Sequence, residues 1–78
     1  MPRQIFIDEK GNRIAVRYTA KHYSDGDGRW LRVFDADTGE DWDEPISGWE
    51  QVWDMTTRRS RYYRHPDGRE YYENRDDA

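Results

Sequence analysis

Arg61-Tyr62-Tyr63-Arg64-His65-Pro66-Asp67-Gly68-Arg69-Glu70-Tyr71-Tyr72-Glu73 is the stretch whose reading decides the fold. Pro66 presets φ, Asp67 offers a turn-forming carboxylate and Gly68 tolerates positive φ, so a tight reversal is centred there. Folding about a three-residue loop pairs His65 with Arg69, Arg64 with Glu70, Tyr63 with Tyr71, Tyr62 with Tyr72 and Arg61 with Glu73. Opposite charges meet twice and aromatic rings meet twice. Each such rung contributes roughly 0.2–1 kcal/mol, and a one-residue slip would lose both ion pairs, so the register is well specified.

Working back toward the N-terminus, apolar residues recur with period two between turn signals, which is the strand pattern and leaves little room for helix. Gln4 to Ile7 reads as a strand, Asp8-Glu9-Lys10-Gly11-Asn12 as a turn, and the return strand places Ile14, Val16 and Tyr18 on one face with Arg13, Arg17 and Thr19 on the other. Ser24-Asp25-Gly26-Asp27-Gly28 reads as a flexible loop. Arg29 to Phe34 reads as a strand that turns at Asp35-Ala36-Asp37-Thr38-Gly39 into a strand from Glu40 to Ile46. Pro45 and Gly48 mark a bend, after which Trp49 to Met55 reads as a strand, a one-turn helix being the alternative. The tail from Arg75 to Ala78 is expected to fray. The whole predicts one all-β, mainly antiparallel domain over residues 1–78: a small meander barrel or strongly bent sheet of six to seven short strands built from hairpins.

Aliphatic side chains are scarce, and Leu, Ile, Val and Phe together fall below the roughly 20% that warns of disorder. Four Trp, six Tyr and two Phe outweigh that warning, because each aromatic ring buries on the order of 150–250 Å². The core should therefore be aromatic. A domain this small gains only a few kcal/mol from one core and often adds a staple. With no cysteine, and with His22 and His65 far apart and without ligand-like spacing, disulfides and zinc are not expected as the staple, and a homodimer or a stabilising partner becomes plausible. The lack of cysteine suits the cytoplasm, and the N-terminal apolar run of Ile5, Phe6 and Ile7 is too short for a signal peptide or membrane span.

Two charge clusters compete for a functional reading. Residues 35–44 carry six carboxylates in ten positions, and an acidic tip formed by Asp35, Asp37, Glu40, Asp41, Trp42, Asp43 and Glu44 suits docking onto a basic protein surface or imitation of a phosphate backbone. Calcium needs a Gly at the sixth and a Glu at the twelfth loop position; Gly39 comes one place early and Ile46 stands where the Glu should be. The opposing cluster, Arg58 to His65, interleaves Arg with Tyr, and alternation puts Arg59, Arg61, Tyr63, Tyr71 and Arg75 on one face, an arrangement that can attract phosphates and stack bases. Up to Thr56 there are seven basic and twelve acidic side chains, a net of −5, whereas the rest of the chain is near +1. Solubility alone accounts for an overall charge of −4.

Gly48-Trp49-Glu50, Tyr62-Tyr63 and His65 resemble part of the WW domain, a three-stranded sheet that binds proline-rich peptides. The resemblance covers only the last third of the chain. Arg64 stands where that family has Asn, Tyr72 is at best the substitute for the second Trp, and the closing Pro is missing, so the family's function is not carried over.

Catalysis has little support: there is no Cys nucleophile, no Ser with His and Asp in triad-like spacing, no phosphate-cradling glycine loop and no cofactor or paired metal-ligand motif. Four Trp are more than so short a chain can bury fully, and exposed Trp, Tyr and Arg dominate binding energies at protein interfaces. The expectation is a cytoplasmic, non-catalytic protein that binds a larger protein through the acidic tip and exposed aromatics, in character like small inhibitors encoded by phages. A single-stranded nucleic-acid binder using the Arg/Tyr hairpin is the alternative.

Overall fold

The computed structural model describes residues 2–8, 10–52 and 62–74. It is all-β and mostly antiparallel: β1 (Gln4–Ile7), β2 (Arg13–Val16), β3 (Tyr18–Asp25), β4 (Gly28–Asp35), β5 (Asp41–Pro45), β6 (Glu50–Val52), β7 (Tyr62–Arg64) and β8 (Glu70–Glu73). Strands β1 and β2 form a two-stranded sheet, and the rest form one six-stranded sheet in the order β5-β4-β3-β8-β7-β6.

The expected meander is therefore two three-stranded meanders joined side by side. The joint is a parallel pairing of β3 with β8, Thr19 opposite Tyr72 and Ala20 opposite Glu73, extended by Asn74 N–H donating to the Ala20 carbonyl at 2.9 Å. Among the described residues the sheet does not close into a barrel; β5 and β6 are its edges. Eight strands replace the expected six to seven because the long return strand breaks at Arg17. There the Arg17 carbonyl accepts the Ala36 N–H (2.9 Å) while its guanidinium grips Asp35, so Tyr18 starts a new strand in a different sheet. The break also leaves Thr19 buried, although by register it lies on the sheet face opposite Ala20, and not on the exposed polar face assigned to it.

Four of the hairpin turns are built by the same device. Asp8, Asp25, Asp35 and Asp67 each accept, through Oδ1, the backbone N–H two residues on, from Lys10, Asp27, Asp37 and Arg69 at 2.8–2.9 Å. A carboxylate at that position closes a pseudo-turn through its own side chain. At Asp25 it contracts the expected flexible loop to a two-residue connection, with Asp25 paired directly to Gly28.

The last hairpin has the register read from its sequence: Tyr62 opposite Tyr72, Tyr63 opposite Tyr71, Arg64 opposite Glu70, with His65 N–H donating to the Arg69 carbonyl at 2.9 Å. Arg64, however, bonds Glu50 at 3.2 Å rather than Glu70, because β7 is a central strand and Glu50 lies opposite Arg64 on its other side. Arg61 and the expected Arg61–Glu73 rung lie outside the described residues, as do Trp53 and Met55 of the strand expected from Trp49; that strand begins at Glu50. Gly68 sits at φ +98°. An added Cβ there meets open space, so Gly68→Ala is expected to destabilise by conformational strain alone, on the order of 1–2 kcal/mol in urea titration.

The core lies on one face of the six-stranded sheet: Ala20, Leu31, Val33, Tyr63 and Tyr71, with Tyr18, Trp42, Ile46 and Trp49 packed against them. Trp49 stacks on Tyr71 with centroids 4.6 Å apart. On the other face of β7–β8, Tyr62 and Tyr72 (5.4 Å) meet Phe6 of β1 at 4.9 Å from Tyr72, which seats the N-terminal hairpin. Alternation buries Phe6 and leaves Ile5 and Ile7 outside.

Candidate binding face

Strands β3, β4 and β5 are locked in register: Tyr23 opposite Trp30 opposite Pro45, Lys21 opposite Arg32 opposite Asp43, and Thr19 opposite Phe34 opposite Asp41. Residues directly opposite share a face, and alternate residues share it too. These nine therefore lie on the face opposite Ala20, Leu31, Val33 and Trp42. One row is Tyr-Trp-Pro, with Phe34 two rungs away, and none of the three rings is fully buried.

The polar ends of this row are fixed. Trp30 Nε1 donates to Asp25 Oδ1 at 3.0 Å, and the Tyr23 hydroxyl donates to Asp43 Oδ1 at 2.8 Å. Arg32 bridges Asp43 and Asp41 at 2.8 Å each. The Tyr23 hydroxyl and then the Arg32 guanidinium hold the Asp43 carboxyl below the usual carboxylate range, and the same bond pushes the Tyr23 phenol up. Rings held in one orientation lose little freedom when a partner covers them.

The acidic run divides by alternation rather than forming one tip. Asp35 is 5% exposed; Arg17 binds it through Nε (3.0 Å) and Nη2 (2.9 Å), and it accepts the Asp37 and Thr38 backbone N–H groups. Its pKa lies far below normal, chiefly because of Arg17. Asp35 is thus a structural carboxylate with no edge left for a partner. Asp37 is held by Arg3 at 2.7 and 2.5 Å. Trp42 and Glu44 point to the core side: Trp42 Nε1 and the Tyr71 hydroxyl both donate to Glu44 Oε1, at 2.9 and 3.0 Å. Asp37, Glu40, Asp41 and Asp43 remain at the surface. Asp35, Asp37 and Asp41 are met by Arg17, Arg3 and Arg32 respectively.

Of the Arg/Tyr set, Tyr63 is 0% and Tyr71 4% exposed, so neither ring offers a face for a base. Burial, then the bond to Glu44, pushes the Tyr71 phenol up to about 12. Arg59, Arg61 and Arg75 lie outside the described residues.

Sequence reading missed Tyr23, Trp30, Phe34 and Pro45 as a surface. The signal was in the parity of Trp30-Leu31-Arg32-Val33-Phe34: Trp30 and Phe34 fall in step with Arg32 and out of step with Leu31 and Val33. Among the described residues no helix is long and apolar enough to cross a membrane. Comparison with protein-family models, with curated proteins and with solved structures finds no match for this chain.

Proposed function

We propose that this chain is a non-catalytic domain that binds a larger protein through the outer face of β3–β4–β5. The observation that carries this reading is the Tyr23–Trp30–Pro45 row, rigidly hydrogen-bonded at its ends and flanked by Phe34, Arg32, Asp41 and Asp43. Trp, Tyr and Arg are the residues that dominate interface energies, and here all three sit together on one sheet face. This shifts the expected contact from the acidic tip to the sheet beside it, with Glu40, Asp41 and Asp43 as its charged margin. The absence of cysteine supports a cytoplasmic setting, and small size with acidic character supports, by analogy only, an inhibitor of the kind phages encode.

The test is capture from bacterial lysate, after nuclease digestion, by the tagged chain and by its Tyr23→Ala/Trp30→Ala variant. With two hot-spot rings removed, retention of the partner should fall about 30-fold or more while circular dichroism stays unchanged. Equal retention by the variant, or recovery of nucleic acid and no protein when undigested lysate is used in parallel, would reject the protein-binding face.

A further inference from the structure

Strand β5 is an open edge whose hydrogen-bonding phase can be read from its ends. Asp35 N–H donates to the Glu40 carbonyl (2.9 Å) and Ile46 N–H donates to the Arg29 carbonyl (3.1 Å). In an antiparallel ladder bonded and non-bonded pairs alternate. The bonded pairs between these ends are therefore Val33 with Trp42 and Leu31 with Glu44. It follows that the N–H and C=O groups of Asp41 and Asp43, and the C=O of Pro45, point away from β4, and among the described residues no other strand lies beyond them. Pro45 is tolerated in the strand because its missing N–H would have faced outward.

We infer that β5 accepts an extended, cationic segment of the partner protein as an added strand. This rests on the protein-binding reading and names the chemistry of the partner. Two outward N–H groups and three outward C=O groups provide the main-chain bonds of such an addition. Residues of the incoming strand opposite Asp41 and Asp43 would share their face, beside the Tyr23–Trp30–Pro45 row. Among the described residues those two carboxylates, with side chains 44% and 39% exposed, share one guanidinium, that of Arg32. Glu40 adjoins them at the surface and Glu44 lies on the opposite side of the strand. Lysine or arginine at alternate positions therefore fits.

A second copy of the chain does not fit. Antiparallel self-pairing centred on Trp42 sets Asp41 against Asp43 twice, and centring on Asp43 sets Asp43 against itself and Asp41 against Pro45, which has no N–H to give. Like charges directly opposite are destabilising, so the edge rejects itself and selects an oppositely charged strand.

The probe is a blocked peptide of alternating Lys and Val, with an alternating Glu and Val peptide and a Lys/Val peptide N-methylated at every second residue as controls, followed by amide NMR of the isotope-labelled chain. The Lys/Val peptide should slow hydrogen exchange of the Asp41 and Asp43 amides about tenfold or more at saturation, and both controls should bind about tenfold more weakly. Asp43→Pro removes an outward donor, and with it the carboxylate that holds Tyr23 and Arg32, while leaving the β4 ladder bonds in place, and should abolish the protection at Asp41. If that variant does not fold, the N-methylated peptide carries the same test. Absence of protection at Asp41 and Asp43, or equal binding of the N-methylated peptide, overturns strand addition. Shifts confined to Tyr23 and Trp30 would also overturn it, yet leave the binding face intact, since that reading stands or falls on lysate capture.

Discussion

Tyr63→Ala should leave the chain largely unfolded at room temperature. Tyr63 is the largest fully buried side chain among the described residues, in the cluster with Ala20, Leu31, Val33 and Tyr71. It sits on central strand β7, between Tyr71 of β8 and Gln51 of β6. Truncating a buried aromatic ring to Ala costs about 3–5 kcal/mol, transfer and cavity terms together. A single core in a chain this short supplies about that much in total. The expected result is loss of the far-ultraviolet sheet signal and of any cooperative urea transition. A variant that still melts cooperatively within a few degrees of the parent would show that the two meanders do not depend on this ring. Trp30→Ala, on the outer face, is the contrast: about 1 kcal/mol, with the fold retained.

The hairpin containing Tyr63 was legible because its turn and its ring rungs are local. Pro66-Asp67-Gly68 supplies the turn, and the Tyr62–Tyr72 and Tyr63–Tyr71 rungs lie within a dozen residues, whereas the ion pair of Arg64 is made outside the hairpin, with Glu50. The N-terminal strand Gln4–Ile7 and the turn at Asp8 were legible for the same reason. What escaped were the long-range contacts. The parallel pairing of β3 with β8 joins residues some fifty positions apart, as Thr19 and Tyr72 show, and no periodicity announces it. The break at Arg17 depends on Asp35, eighteen positions away, and the pairing of Arg3 with Asp37 spans thirty-four. A run of six carboxylates looks like an interface when the arginines that meet them are distant in sequence. Once those partners are placed, much of the acidity is turn chemistry and internal pairing, and the surface left over lies one strand to the side.

Acid should expose that division. The carboxyls of Asp35, Asp37, Asp43 and Asp67 all have folded-state pKa values below their ordinary range, through Arg17, Arg3, Tyr23 with Arg32, and the Arg69 backbone N–H respectively. A depressed folded value means that the unfolded chain takes up protons first as the pH falls. The stability these groups contribute is then fully present above the unfolded value of about 3.9 and is lost as pH drops through their folded values. The melting temperature should accordingly hold level down to about pH 5 and fall steeply below about pH 4. Asp35→Asn keeps Oδ1 as acceptor for the Asp37 and Thr38 N–H groups but removes the charge facing Arg17 and replaces the Oδ2 acceptor of Arg17 Nη2 with an amide donor. It should lower the melting temperature at pH 7 by on the order of 5–10 °C and flatten the acid limb, because Asp35 is held lowest of the four. Glu40→Gln should leave the melting temperature at pH 7 unchanged. A carboxylate kept for a partner sits among like charges at a cost to the free protein, so neutralising it is neutral or stabilising; a carboxylate that closes a turn on an arginine does the reverse. If Asp35→Asn melted with the parent at pH 7, or followed the same acid limb, the assignment of Asp35 to the fold and not to the interface would fail.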